Sequence, residues 1–94
     1  MKITCPLVGA SFRESEDRDA LRAASIGTIC DLQADPENEY DNTAVAVYID
    51  SHHIGFIPKD MNGPIFAHLS AGSEATATII SFEKPLRPIL EIEL

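Results

Sequence analysis

Two apolar, strand-like runs joined by a loop of turn formers constrain this chain more than any other feature. Thr43 to Asp50 is the clearest strand: Val45, Val47 and Ile49 share one face, and Ala44, Ala46 and Tyr48 the other. That is the two-residue period of a strand. Before it, Asp35-Pro36-Glu37-Asn38-Glu39-Tyr40-Asp41-Asn42 sets turn formers and side-chain acceptors around one tyrosine. Asn38, Asp41 and Asn42 can each bond a nearby backbone N–H and so close a turn. Thr28 to Ala34 reads as the strand that enters this loop, with Ile29 and Leu32 directed to the core.

The remaining elements follow the same punctuation. Val8 to Phe12 reads as an early strand. Ser15 suits the cap of a helix running through Arg22 to Ser25, with Glu16, Asp17 and Asp19 at its positive end and Gly27 as its stop. Ser51-His52 is a tight connection, and His53 to Ile57 returns as the second arm of a hairpin. Pro64 opens a second helix that turns Ile65, Phe66 and Leu69 inward and stops at Gly72. Glu74 to Glu83 alternates as a strand, and so do Leu90, Ile92 and Leu94 with Glu91 and Glu93 between them. About six short strands and one or two short helices, in a single domain over residues 1–94, imply a mainly β chain: a small closed or partly open β-barrel.

Bulk properties narrow the function classes. Ninety-four residues allow one small core, and a hydrophobic fraction of 45% is ordinary for a globular chain. No apolar run approaches the roughly 20 residues of a spanning helix. Met1 to Pro6 lacks the apolar region of a signal peptide, so a soluble, cytoplasmic protein is expected, with no membrane partner. Cys5 and Cys30 match no zinc spacing and read as small reduced core residues. A disulfide would need the strands that carry them to be neighbours. The net charge of −8, from 15 acidic and 7 basic residues, argues against broad salt-driven binding along a nucleic-acid backbone. It leaves room for a small pocket that takes one end of a strand.

Few residues carry a candidate chemistry. The Asn38–Asp41 loop has two readings. In the structural one, Asn38 and Asp41 satisfy backbone N–H groups and Tyr40 pins the loop to the barrel. In the functional one, Tyr40 stacks on a base, worth roughly 1–3 kcal/mol. Asp41, an acceptor only, takes a hydrogen bond from a terminal sugar hydroxyl and would repel a phosphate there. Arg13, Arg18, Arg22 and Lys59 hold most of the positive charge. They read either as a solvated helix face paired with Glu14, Glu16 and Asp19, or as a local phosphate-facing patch. His52 and His53 adjoin on a hairpin and so point to opposite faces, a poor metal pair, and His68 stands alone. Asp31, Asp35, Asp41 and Asp50 scatter without the convergence a metal-dependent nuclease needs. No catalytic Ser-His-Asp set, phosphate-cradling glycine loop or activated cysteine is present, so a binding module without cofactor or metal is expected rather than an enzyme.

The loop pattern, together with Val8-Gly9, His53-Ile54-Gly55-Phe56-Ile57-Pro58-Lys59 and Leu69-Ser70-Ala71-Gly72, resembles the HIRAN domain over nearly the whole chain. That module occurs at the N-terminus of a class of DNA helicases, and alone in bacteria and phages. The resemblance implies a modified β-barrel of the OB or SH3-like kind that holds the 3′-hydroxyl end of single-stranded DNA. It implies that Asn38, Tyr40 and Asp41 form the pocket loop, with Asp41 accepting from the hydroxyl. Phe12 would stack on a terminal base, Arg13 would carry the positive charge beside it, Lys59 would meet a backbone phosphate, and Phe82 would line the pocket. Two departures bear on DNA affinity and leave the fold reading intact. DNA-binding members carry a basic residue and two aromatics after Val-Gly, where this chain has Ala10-Ser11-Phe12-Arg13. Glu39 stands where proline is common.

The expected function is therefore a nucleic-acid-binding module for single-stranded DNA 3′ ends, associated with DNA repair or replication-fork processing. The alternative is an acidic protein–protein interaction domain docking through an exposed strand edge on a DNA-processing partner such as a nuclease or helicase.

Overall fold

A computed structural model describes residues 1–94. Six strands make one antiparallel sheet: β1 (Lys2–Pro6), β2 (Ile29–Asp35), β3 (Ala44–Ile49), β4 (His52–Phe56), β5 (Thr76–Lys84) and β6 (Arg87–Glu93). Their order is β1-β6-β5-β2-β3-β4. Helix α1 (Ser15–Arg22) packs on β4, and α2 (Gly63–Ser70) packs on β2 and β3. The fold is mainly β with two short helices, as the alternating patterns imply.

The sheet curls but does not close into a continuous ladder. Its first and last strands are joined by one bridge beyond the end of β1, where Val8 and Phe56 exchange backbone hydrogen bonds of 3.0 and 2.9 Å. One residue earlier, Leu7 N–H still donates to Pro88 O of β6 at 2.9 Å. The chain thus passes from one end of the sheet to the other within two residues. The result is a partly open barrel with edges tied at a single point.

Glycine makes that approach possible. A Cβ on Gly55 would lie 2.6 Å from the Val8 carbonyl oxygen and 3.0 Å from two Leu7 side-chain carbons. Gly9, at φ +78°, then turns the chain out of the bridge into a 3-10 turn at Ala10–Phe12. The early strand expected at Val8 to Phe12 is therefore displaced. The strand is Lys2–Pro6, Val8 supplies the bridge, and Phe12 and Arg13 donate back to Gly9 and Ala10.

The core contains Cys5, Leu7, Leu21, Cys30, Leu32, Val45, Val47, Ile54, Ile57, Ile65, Ala77, Ile79, Leu90 and Ile92. Leu32 is inside as expected, but Ile29 is 65% exposed. Residues three apart on a strand face opposite ways, and Cys30 takes the inward position with Leu32. Other differences are local. Ser15 is the first residue of α1 and Glu14 occupies the cap without a side-chain bond, while the helix ends at Arg22. The β3–β4 turn is made at Asp50 and Ser51, with Asp50 at φ +53°. Gly63 precedes Pro64 as the first residue of α2. Cys5 and Cys30 are buried free thiols on strands separated by β6 and β5, so they form no disulfide. Burial, reinforced by Asp60 at Cys5 and by Asp31 at Cys30, pushes each up to about 11, leaving both protonated and unreactive near neutrality.

The Gly55→Ala variant should lose about 1–3 kcal/mol, because its methyl group must displace the Val8 backbone. Urea unfolding measures this directly, and an unchanged midpoint would show that the bridge does not need the missing side chain.

Candidate nucleic-acid interface

The β2–β3 loop is built by its own side chains. Asn38 Oδ1 accepts from the backbone N–H groups of Tyr40 (2.9 Å) and Asp41 (3.1 Å), and Asn38 Nδ2 donates to Asp35 Oδ2 at 3.2 Å. With Asn38 holding the turn, Tyr40 is presented rather than packed. Its ring is 83% exposed, so it does not pin the loop to the barrel.

Asp41 is the most heavily bonded carboxylate of the loop. Its Oδ1 accepts from Thr43 N–H at 3.0 Å and from the Thr43 hydroxyl at 2.8 Å, and its Oδ2 accepts from Asn62 Nδ2 at 2.8 Å. Asn62 is only 2% exposed, at the start of α2, and its Oδ1 lies 3.2 Å from the Thr43 hydroxyl. The backbone bond from Thr43, then its hydroxyl, then the Asn62 amide hold Asp41 below the usual carboxylate range, with a smaller pull from Lys59. A carboxylate has about four acceptor positions, and the protein engages three of them, two on Oδ1 and one on Oδ2.

Around this group lies a cleft of about 280 Å³, lined by Val8, Asn38, Tyr40, Asp41, Ala44, Phe56, Ile57 and Lys59. Its walls are mostly apolar with a few polar groups at the rim, the usual composition of a small-ligand site. Val8 and Phe56, the bridging pair, form one wall. His53 supports Phe56 edge-on at 4.7 Å between centroids and stacks on Tyr48 at 5.0 Å. Burial, then the nearby Arg13 charge, lowers the His53 pKa and favours the neutral ring, whose Nε2 donates to Gly55 O at 3.0 Å.

The cleft brings together Asn38, Tyr40, Asp41 and Lys59 of the residues singled out from sequence; Phe12, Arg13 and Phe82 are not in its lining. Phe12 is 90% exposed on the 3-10 turn that follows Val8 and Gly9. Arg13 faces the framework: its Nε donates to His53 O at 2.8 Å and its Nη2 to Asp17 Oδ2 at 3.2 Å. Phe82 is partly buried against the core. On α1, Arg18 donates to the Arg13 carbonyl and Arg22 pairs with Asp19 at 3.2 Å, as in the reading of a paired helix face. Sequence reasoning missed the apolar walls and the Asn62 brace. Phe56 and Val8 do lie inside motifs it singled out, whereas Asn62 carried no signal. No three His, Cys, Asp or Glu side chains converge as a metal site.

A curled six-stranded sheet carries an apolar-walled cleft with an exposed aromatic and an ordered carboxylate at its rim. The chain belongs to the HIRAN domain family, whose pattern matches residues 2–91, and it is a nucleic-acid-binding module of that kind. Two solved structures share its fold. A protein from Lactobacillus plantarum is 20% identical, with a TM-score of 0.84 over 98% of this chain and 93% of its own. The HIRAN domain of human HLTF is 16% identical, with a TM-score of 0.78 over 97% of this chain and 72% of its own. No curated protein sequence matches the chain. No helix is long and apolar enough to cross a membrane.

Asn62→Ala should move the Asp41 titration upward, toward the ordinary carboxylate range, when followed by carboxyl carbon NMR. Because the folded-state pKa is depressed, the stabilisation from this network is complete above the unfolded-state pKa. It is lost as pH falls through the folded one. An Asp41 midpoint that stays put in the variant would mean the Asn62 bond does not act on the carboxylate.

Proposed function

We propose that this module binds the 3′-hydroxyl end of single-stranded DNA in the cleft between the β2–β3 loop and the Val8–Phe56 bridge. The observation that carries the reading is the Asp41 carboxylate, held ionised at the cleft beside an exposed tyrosine. An ionised acceptor favours a hydroxyl donor and disfavours a phosphate at the same place. Tyr40 stacks on a base at the cleft, and Phe12, exposed on the turn after Gly9, stacks on a terminal base. Lys59 faces the adjoining phosphate. Asn38 holds the loop in shape, Arg13 braces the cleft wall through the His53 carbonyl, and Phe82 packs against the core outside the cleft lining. Stacking tolerates every base, so sequence preference is weak.

The acidic balance of the chain is compatible with this chemistry. Affinity resting on one end group and a few stacked bases needs few phosphate contacts, so its dependence on salt is shallow. A module that holds free 3′ ends fits a role in DNA repair or replication-fork processing, where any hydrolysis belongs to a partner or a fused helicase. Exposed Ile26 and Ile29, with a net charge of −8, favour a second reading, in which the chain docks on a basic DNA-processing protein.

A short fluorescent strand ending in a 3′-hydroxyl should bind roughly 10- to 150-fold more tightly than the same strand ending in a 3′-phosphate, the worth of one hydrogen bond to a charged group. Asp41→Ala should erase most of that preference. Tyr40→Ala should weaken both strands, by roughly 5- to 150-fold. Equal binding of the two ends by the wild-type protein would refute end recognition and leave the protein-docking reading.

A further inference from the structure

The cations of this chain are nearly all engaged. Lys2 lies 3.8 Å from Glu91, and Arg13, Arg22 and Arg87 each lie 3.2 Å from Asp17, Asp19 and Glu83 in turn. Arg18 is turned back onto the Arg13 carbonyl. Only Lys59 and Lys84 have neither a carboxylate within 4.0 Å nor a hydrogen-bond partner. Lys59 lines the cleft described above. Lys84 lines a second cleft, of about 330 Å³, with Arg87, Leu86 and the turn Gly9-Ala10-Ser11. The two clefts share Val8.

Lys84 and Arg87 are also register partners across the β5–β6 hairpin. Like charges directly opposite one another on a ladder destabilise it. Glu83 pairs with Arg87 at 3.2 Å, and no carboxylate lies within 4.0 Å of Lys84. On a protein with more than twice as many acids as bases, a cationic pair beside a ligand cleft, one member of which lacks a carboxylate partner, is a feature that an anion would complete.

Resting on the end-binding reading above, we infer that the second cleft is a phosphate-binding site. Lys84, seconded by Arg87, holds the backbone of the strand whose terminus occupies the first cleft. The strand leaves across Val8 toward the β5–β6 hairpin. It does not run along α1, whose arginines are bonded within the fold and stand among Glu14, Glu16, Asp17 and Asp19. Val8 then separates two jobs, recognition of the end on one side and neutralisation of the backbone on the other.

The test compares a dinucleotide and a strand of about eight nucleotides, both with 3′-hydroxyl ends, by fluorescence anisotropy. The longer strand is titrated against wild type and a Lys84→Ala, Arg87→Ala double variant across salt. Each phosphate contact on a single strand contributes about 0.7 to the log–log salt slope. The variant slope should therefore be shallower by about 1.4, so that wild type loses about sevenfold more affinity than the variant between about 50 and 200 mM salt. Coincident slopes, with the dinucleotide still binding wild type, would overturn the second-cleft site alone. A dinucleotide that does not bind wild type would overturn the end-binding reading, and this inference with it.

Discussion

The exchange of two backbone hydrogen bonds between Val8 and Phe56 is the constraint on which the rest of this molecule turns. The sheet ladder runs from β1 to β4 and leaves both outer strands short of partners. The bridge joins those ends where the chain leaves β1, and it fits only because residue 55 has no side chain. The same two residues then form a wall of the first cleft, and Val8 is shared with the second. The tie between the sheet's edges and the construction of the binding surface are one structural event. A change that loosened the bridge would deform the site before it unfolded the core.

Opposite this wall, the β2–β3 loop separates structural from exposed work by residue. Asn38 closes the turn, which frees the Tyr40 ring, and Thr43 with Asn62 orients the Asp41 carboxylate. Buried Asn62 is the link between the loop and α2. Its amide spans a carboxylate and a hydroxyl, both otherwise held only by the loop itself. The acidic surface is tolerable because local chemistry and net charge act over different ranges. A stacked ring and one short hydrogen bond act in contact. The repulsion of distant surface acids is screened over roughly 8–10 Å at moderate salt.

Much of the fold was legible in the chain because several strands carry the two-residue period, Leu90–Leu94 most clearly, and because the turn formers at Asp50 to His52 mark the return through His53 to Ile57. Legibility failed where a long-range contact decides the local shape. Nothing local at Val8 to Phe12 shows that Val8 finds Phe56 rather than continuing a strand, or that Gly9 must then turn the chain. Assigning both Ile29 and Leu32 to the core ignored strand parity, and the small Cys30 was the better inward residue. At the site, Asn38, Tyr40, Asp41 and Lys59 lie within recognisable motifs, and the fold brings them to one cleft. Asn62 was invisible because an asparagine ahead of a helix looks like an ordinary cap. Its partner, Asp41, is 21 positions away. Of the two readings of Arg13, Arg18 and Arg22, the fold favours the one that pairs them within the chain: Arg13 meets Asp17, Arg22 meets Asp19 and Arg18 meets a backbone carbonyl, while Lys59 and Lys84 have no carboxylate within 4.0 Å.

The account stands or falls on whether a strand end enters the cleft beside Asp41. Backbone amide NMR of the protein titrated with a dinucleotide bearing a free 3′-hydroxyl tests that point most directly. The largest shifts should fall at Val8, Tyr40, Asp41, Thr43, Phe56 and Lys59, with the Asn62 side-chain amide moving alongside them. Shifts confined to the surface around Ile26 and Ile29, outside the cleft lining, or none at saturating dinucleotide, would contradict it.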